Sequence, residues 1–115
     1  MANGNRRINV RRTATKELLV RFKRTGLFSF LRHYKDCEVI DFYHQGLGFI
    51  STEDLEKYDT LILSITYRFK TCESVHGIIV YKKPLSPHSF RYGLMFKEVD
   101  KATEAKLKEI EEMLG

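Results

Sequence analysis

Phe90-Arg91-Tyr92-Gly93-Leu94-Met95-Phe96-Lys97-Glu98-Val99-Asp100 holds the point where one hydrophobic period gives way to another. Up to Phe96, large apolar residues occupy every second position: Phe90, Tyr92, Leu94 and Phe96. A period of two places them on one face of a strand. After Val99 the period lengthens, and Leu107, Ile110 and Leu114 recur at i, i+3 and i+7. Asp100 is a good helix N-cap, and Glu104 precedes Lys108 by four residues, a supportive helical pair. The stretch therefore predicts a strand followed by an amphipathic helix whose apolar stripe must cover something.

Working back from Phe90, the period-two pattern recurs. Leu18, Val20 and Phe22 share one face, with Leu19, Arg21 and Lys23 on the other. Glu38 to Phe42 reads as a second strand, Gln45-Gly46 as a turn and Leu47 to Ser51 as a third strand. Leu61, Leu63, Ile65 and Tyr67 alternate strictly in a fourth. Val75 to Tyr81 is a fifth, with Gly77 marking a bulge or a close approach. Residues 25–36 read as a connection, 52–59 as a loop with a short helical turn, and Lys82 to Pro87 as a turn. The apolar run Leu27 to Leu31 is expected to pack in the core or a hairpin, with a partner-facing patch as the alternative. The expected fold is all-β with a terminal helix: a six-stranded antiparallel, split-barrel-like β-barrel with a C-terminal α-helix.

A chain of 115 residues predicts one core. Its net charge of +5 is unevenly spread. Residues 1–35 hold ten Lys and Arg against one acid, Glu17, a balance of +9; the remainder holds ten bases against fourteen acids, −4. Residues 1–15 read as a flexible basic N-terminal arm, and 16–115 as the barrel and helix. Such asymmetry points to a phosphate-bearing ligand, nucleic acid or a membrane surface. No apolar run approaches the roughly 20 residues that span a bilayer, so membrane insertion is not expected. No apolar segment follows the N-terminal charges, so a secretory signal is not expected. Cys37 and Cys72 form no CxxC pair, and a reduced, cytoplasmic protein is the simplest reading. The four His lack metal-ligand spacing. Ser51, Ser64, Ser74 and the two Cys have no His–acid pattern around them, so no enzyme is expected.

Two short constellations carry the functional expectation. In Arg6-Arg7-Ile8-Asn9-Val10-Arg11-Arg12, Arg7 and Arg11 stand four apart with Arg6 and Arg12 beside them. Guanidinium groups bind phosphate and the guanine O6/N7 edge bidentately, and stack on purines. By spacing alone, a solvated basic tail is the simpler reading. In Asp41-Phe42-Tyr43-His44-Gln45-Gly46, a carboxylate ends one strand and a glycine closes the turn into the next. Asp41 can accept from guanine N1–H and N2–H₂, and Gly46 would allow a positive φ and close approach of backbone to ligand. An ordinary hairpin, with His44 as a surface residue, explains the same residues.

The two together, an Arg-x-x-x-Arg arm and an Asp-x-x-x-x-Gly turn about 30 residues later, resemble the PilZ domain family, whose members carry RxxxR and [D/N]xSxxG ahead of a six-stranded barrel. Phe90 to Phe96, Asp100 and the amphipathic helix look like that family's last strand and terminal helix. The resemblance runs from Arg6 to Leu114. It implies a bacterial receptor for cyclic-di-GMP, with no cofactor and no catalysis, which signals to a downstream protein partner not specified by the sequence. Arg7 and Arg11, flanked by Arg6 and Arg12, would grip guanine and phosphate; Asp41 would read a guanine edge, and Gly46 would admit the backbone. Tyr43 stands where the family usually has Ser. Its hydroxyl lies further from the backbone, so the ring either stacks beside the ligand or fills the site. Two alternatives follow: a PilZ-like interaction module that does not bind the nucleotide, and a basic-arm nucleic-acid-binding barrel. Nucleic acid is not the expected partner, because the aromatics fall on faces expected to be buried. A homodimer is compatible with the sequence.

Overall fold

Seven antiparallel strands and one helix make up residues 17–115, the part of the chain that the computed structural model describes. They are β1 (Leu18–Arg24), β2 (Lys35–Asp36), β3 (Glu38–Tyr43), β4 (Gly46–Ser51), β5 (Thr60–Tyr67), β6 (Lys70–Ser86), β7 (Ser89–Phe96) and α1 (Lys101–Leu114). The strands form a single curled sheet in the order β2-β1-β5-β6-β7-β4-β3. Its two edges, β2 and β3, are the halves of one extended segment broken at Cys37, whose amide donates to the Val20 carbonyl at 3.3 Å. The basic arm, with Arg6, Arg7, Arg11 and Arg12, lies outside the described residues.

The alternating residues do what their period predicts. Leu18, Val20 and Phe22 are buried while Leu19 is exposed, and Leu61, Leu63, Ile65 and Tyr67 all face the core. Tyr92, Leu94 and Phe96 join them from β7, with Phe90 packed at the margin. Burial of each such side chain is worth roughly 1.5–3 kcal/mol. The helix begins where expected: the Asp100 carboxylate accepts from the Thr103 amide at 2.7 Å. At its other end the Gly115 amide donates to the Glu111 carbonyl. Leu107, Ile110 and Leu114 bury its apolar stripe against the core, and α1 lies against β6 and β3.

The expected six-stranded barrel is corrected to a seven-stranded curled sheet, half-barrel in form. The additional strand, β2, pairs Lys35 and Asp36 with Phe22 and Arg21. Both of its residues are exposed, so no alternation announces it. The turn expected at Lys82–Pro87 is strand as far as Ser86. Beyond Ile79 β6 pairs only with β7, and a strand bonded on one side tolerates Pro84. Leu27, Phe28, Phe30 and Leu31 do not pack in the core: they are 85%, 59%, 73% and 66% exposed.

The loop 52–59 has a turn at Lys57–Tyr58 and no helical segment. It is pinned by an element the sequence did not advertise. The Tyr92 hydroxyl, at the heart of the core, accepts from the Leu55 amide at 2.7 Å and donates to the Glu53 carbonyl at 2.6 Å. Leu55 is thereby drawn into the core. Burial, with the Asp36 carboxylate beside it, pushes the Cys37 thiol up to about 12, and burial also raises Cys72. Neither thiol ionises readily.

Candidate functional site

A groove crosses the outer face of β3, β4, β7 and β6, and its floor is glycine. Gly48 on β4 pairs directly with Gly93 on β7. Asp41 pairs with Gly48 from one side, and Tyr81 pairs with Gly93 from the other. One cross-strand row therefore reads Asp41, Gly48, Gly93, Tyr81. Cross-strand partners point to the same face, so the two side chains lean toward each other over a floor with no Cβ. A Cβ on Gly48 would stand 2.7 Å from Asp41 Oδ1, and one on Gly93 would stand 3.1 Å from the Tyr81 Cβ.

Both walls are aimed by the same device. Val39 pairs with Phe49, whose ring is in the core, and Val39 itself packs inward. Plain alternation would turn Asp41 inward as well. A register shift between Val39 and Asp41 inserts Ile40 as an extra residue and turns Asp41 out onto the groove. On β6, Ile79 pairs with core residue Leu94, and a shift at Val80 turns Tyr81 outward in the same way. The resulting pocket is about 280 Å³ and is bounded by Asp41, Tyr43, Tyr81, Arg91 and Met95 around the glycine floor. Asp41 is only 5% exposed although it faces outward, because the groove surrounds it.

Of the residues singled out from the sequence, the fold brings Asp41 and Tyr43 together in this groove. Gly46 stands beside them on β4, paired with Tyr43 and with Met95. It is not a turn residue: the two-residue turn is His44–Gln45, and Gly46 does not adopt a positive φ. Its role is close approach between strands, because a Cβ there would run into the Leu94 carbonyl oxygen. His44 is not a free surface residue. Its amide and Nδ1 both donate to Glu111 Oε1 at 2.8 Å, which ties the motif's turn to α1. Arg6, Arg7, Arg11 and Arg12 lie outside the described residues. Sequence reading missed Tyr81 and Arg91; their only signal was the pair of mid-strand glycines, Gly48 and Gly93, which mark close approach.

The groove combines a carboxylate, two phenol rings and a guanidinium around a floor without side chains. A planar heterocycle with adjacent N–H donors fits that chemistry: rings to flank its faces, Asp41 to accept from its edge, and Arg91 to meet an acceptor or anionic group. Its volume suits one base. Among the described residues, no group of three or more His, Cys, Asp or Glu is placed to hold a metal ion. None of their helices is long and apolar enough to cross a membrane.

The β-sheet domain with its C-terminal helix resembles a PilZ-like fold. A small sheet-and-helix module with buried charged and aromatic residues is of a kind with ligand- or protein-binding adaptors. No family model matches the chain, and no curated protein matches it.

Proposed function

We propose that this domain is a non-catalytic, cytoplasmic receptor for cyclic-di-GMP that passes the signal to a protein partner. One guanine occupies the groove over Gly48 and Gly93. Asp41 accepts from its N1–H and N2–H₂, Tyr43 and Tyr81 flank it, and Arg91 meets the O6/N7 edge or a phosphate. Arg7 and Arg11, with Arg6 and Arg12, supply the remaining positive charge for the second guanine and the phosphates. The observation that carries this reading is the buried, outward-facing carboxylate of Asp41 over a side-chain-free floor. Tyr43, in place of the usual Ser, flanks the base rather than bonding through a short hydroxyl.

Calorimetry with cyclic-di-GMP tests the reading. Wild-type protein should bind, and Asp41→Ala and Arg7→Ala should each weaken binding by about tenfold or more, the loss of a charge-assisted hydrogen bond worth roughly 1.5–3 kcal/mol. Unchanged affinity in both variants would remove the site assignment. No heat and no thermal shift with the wild type would favour an interaction module that does not bind the nucleotide.

A further inference from the structure

The loop after β1 carries four large apolar side chains in the open. Gly26, two residues after β1, has φ +148°, a conformation that favours glycine. A 3-10 turn over Ser29–Leu31 follows, closed by the Leu31 amide donating to the Phe28 carbonyl at 3.0 Å. It sets the Phe28 and Phe30 rings 6.5 Å apart at the tip. The exposures of Leu27, Phe28, Phe30 and Leu31 are those of a protruding crest, not of a groove wall.

The charge of the crest's own segment has one sign. Residues 18–35 contain Arg21, Lys23, Arg24, Arg32 and Lys35 and no acid. Lys23, Arg24, Arg32 and Lys35 line a cleft of about 510 Å³ beside the loop, where they outnumber its two acids, Glu53 and Asp54. Lys35 lies 3.5 Å from Glu53, and Arg24 lies 3.7 Å from Asp59. Arg21 and Lys23 instead sit over the Tyr34 ring, and Arg32 has no carboxylate within ion-pair distance among the described residues.

We infer that this crest docks the protein peripherally on an anionic phospholipid surface. Phe28, Phe30, Leu27 and Leu31 enter the boundary between headgroups and acyl chains, and the collar of Arg and Lys meets the lipid phosphates. An apolar tip with a basic collar supplies both of the attractions that interfacial binding needs. A second copy is a poorer occupant, because it would bring two basic collars together. The chain's own arm is poorer for the same reason: it carries four bases and only Ile8 and Val10 as large apolar residues. A protein partner would need an acid-rimmed pocket shaped to the crest, whereas a bilayer needs no matching shape.

The chain has no Trp, so Phe28→Trp provides a single reporter in the full-length protein. In buffer its emission should be that of a water-exposed indole. It should shift to the blue on vesicles of phosphatidylcholine containing about a quarter phosphatidylglycerol, and wild-type protein should sediment with them on the order of a hundredfold better than with phosphatidylcholine alone. About 0.5 M NaCl should release it, since the screening length then falls to roughly 4 Å. Phe30→Ser with Leu31→Ser keeps every charge and should weaken sedimentation about tenfold, with the melting temperature unchanged because both side chains are exposed. Absence of sedimentation on the anionic vesicles would overturn the proposal. So would full binding by the Ser pair, which would reduce the attraction to charge alone. Emission already blue without vesicles would mean that the arm or a second copy covers the crest, and would overturn it too.

Discussion

Three glycines on the outer face of the sheet serve different ends, and substitution separates them. Gly48 makes room for a side chain: a Cβ there would stand 2.7 Å from Asp41 Oδ1, so Ala forces the carboxylate off its place. Gly46 makes room for a backbone, the Leu94 carbonyl on β7, which cannot swing aside. Gly93 lies opposite Gly48 and leaves the floor bare. Gly46→Ala should therefore destabilise the fold by about 1–3 kcal/mol or more in denaturant unfolding. Gly48→Ala should cost less stability yet lose nucleotide affinity as Asp41→Ala does. Equal stability losses in the two variants, with affinity retained in Gly48→Ala, would contradict these roles. Asp41 itself was legible, because an acid ahead of a glycine turn is a recognisable pattern. The reason for Gly46 was not, since turn glycine and packing glycine look alike in sequence.

Elements differ in how plainly their residues announce them. β1, β5, β7 and α1 each bury one face, so a hydrophobic period of two or of 3.6 reveals them. β2 buries neither of its residues and has no period to read. The end of β6 passes through Lys82, Lys83 and Pro84, which look like a turn because turns and one-sided strand ends share the same residues. The two bulges that aim Asp41 and Tyr81 are hidden for a further reason: a single inserted residue changes phase only relative to a partner strand, and the partner is known only in the fold. The helix cap can be tested by pH. Hydrogen bonding to Thr103 holds the Asp100 carboxyl below its ordinary value of 3.8. A carboxyl depressed by folding adds stability that is complete above its unfolded value and is lost as pH falls through the folded one. The melting temperature of Asp100→Ala should thus fall below wild type near neutrality, and the difference should close in strong acid. A difference that persists when the carboxyl is protonated would argue against the cap.

The groove and the cleft beside the crest share no lining residue. The glycine groove lies across β3, β4, β7 and β6, the aromatic crest follows β1, and α1 grips the turn of the groove motif through His44 and Glu111. In the proposed receptor, contact between that turn and the helix would be the route by which an occupied groove alters the surface presented to a partner. The uneven charge of the chain was plain from composition, and it drew attention to the arm. The fold adds that the groove has its own guanidinium, Arg91, and that the segment bearing the bases of residues 18–35 also exposes an apolar tip. The central claim is that a guanine lies on the floor formed by Gly48 and Gly93. It is tested most directly by amide nuclear magnetic resonance during titration with cyclic-di-GMP. The expected result is saturable shifts at Gly46, Gly48 and Gly93, with Leu27 to Leu31 unmoved. Shifts elsewhere with the three glycine amides unchanged, or none anywhere at saturating ligand, would contradict it.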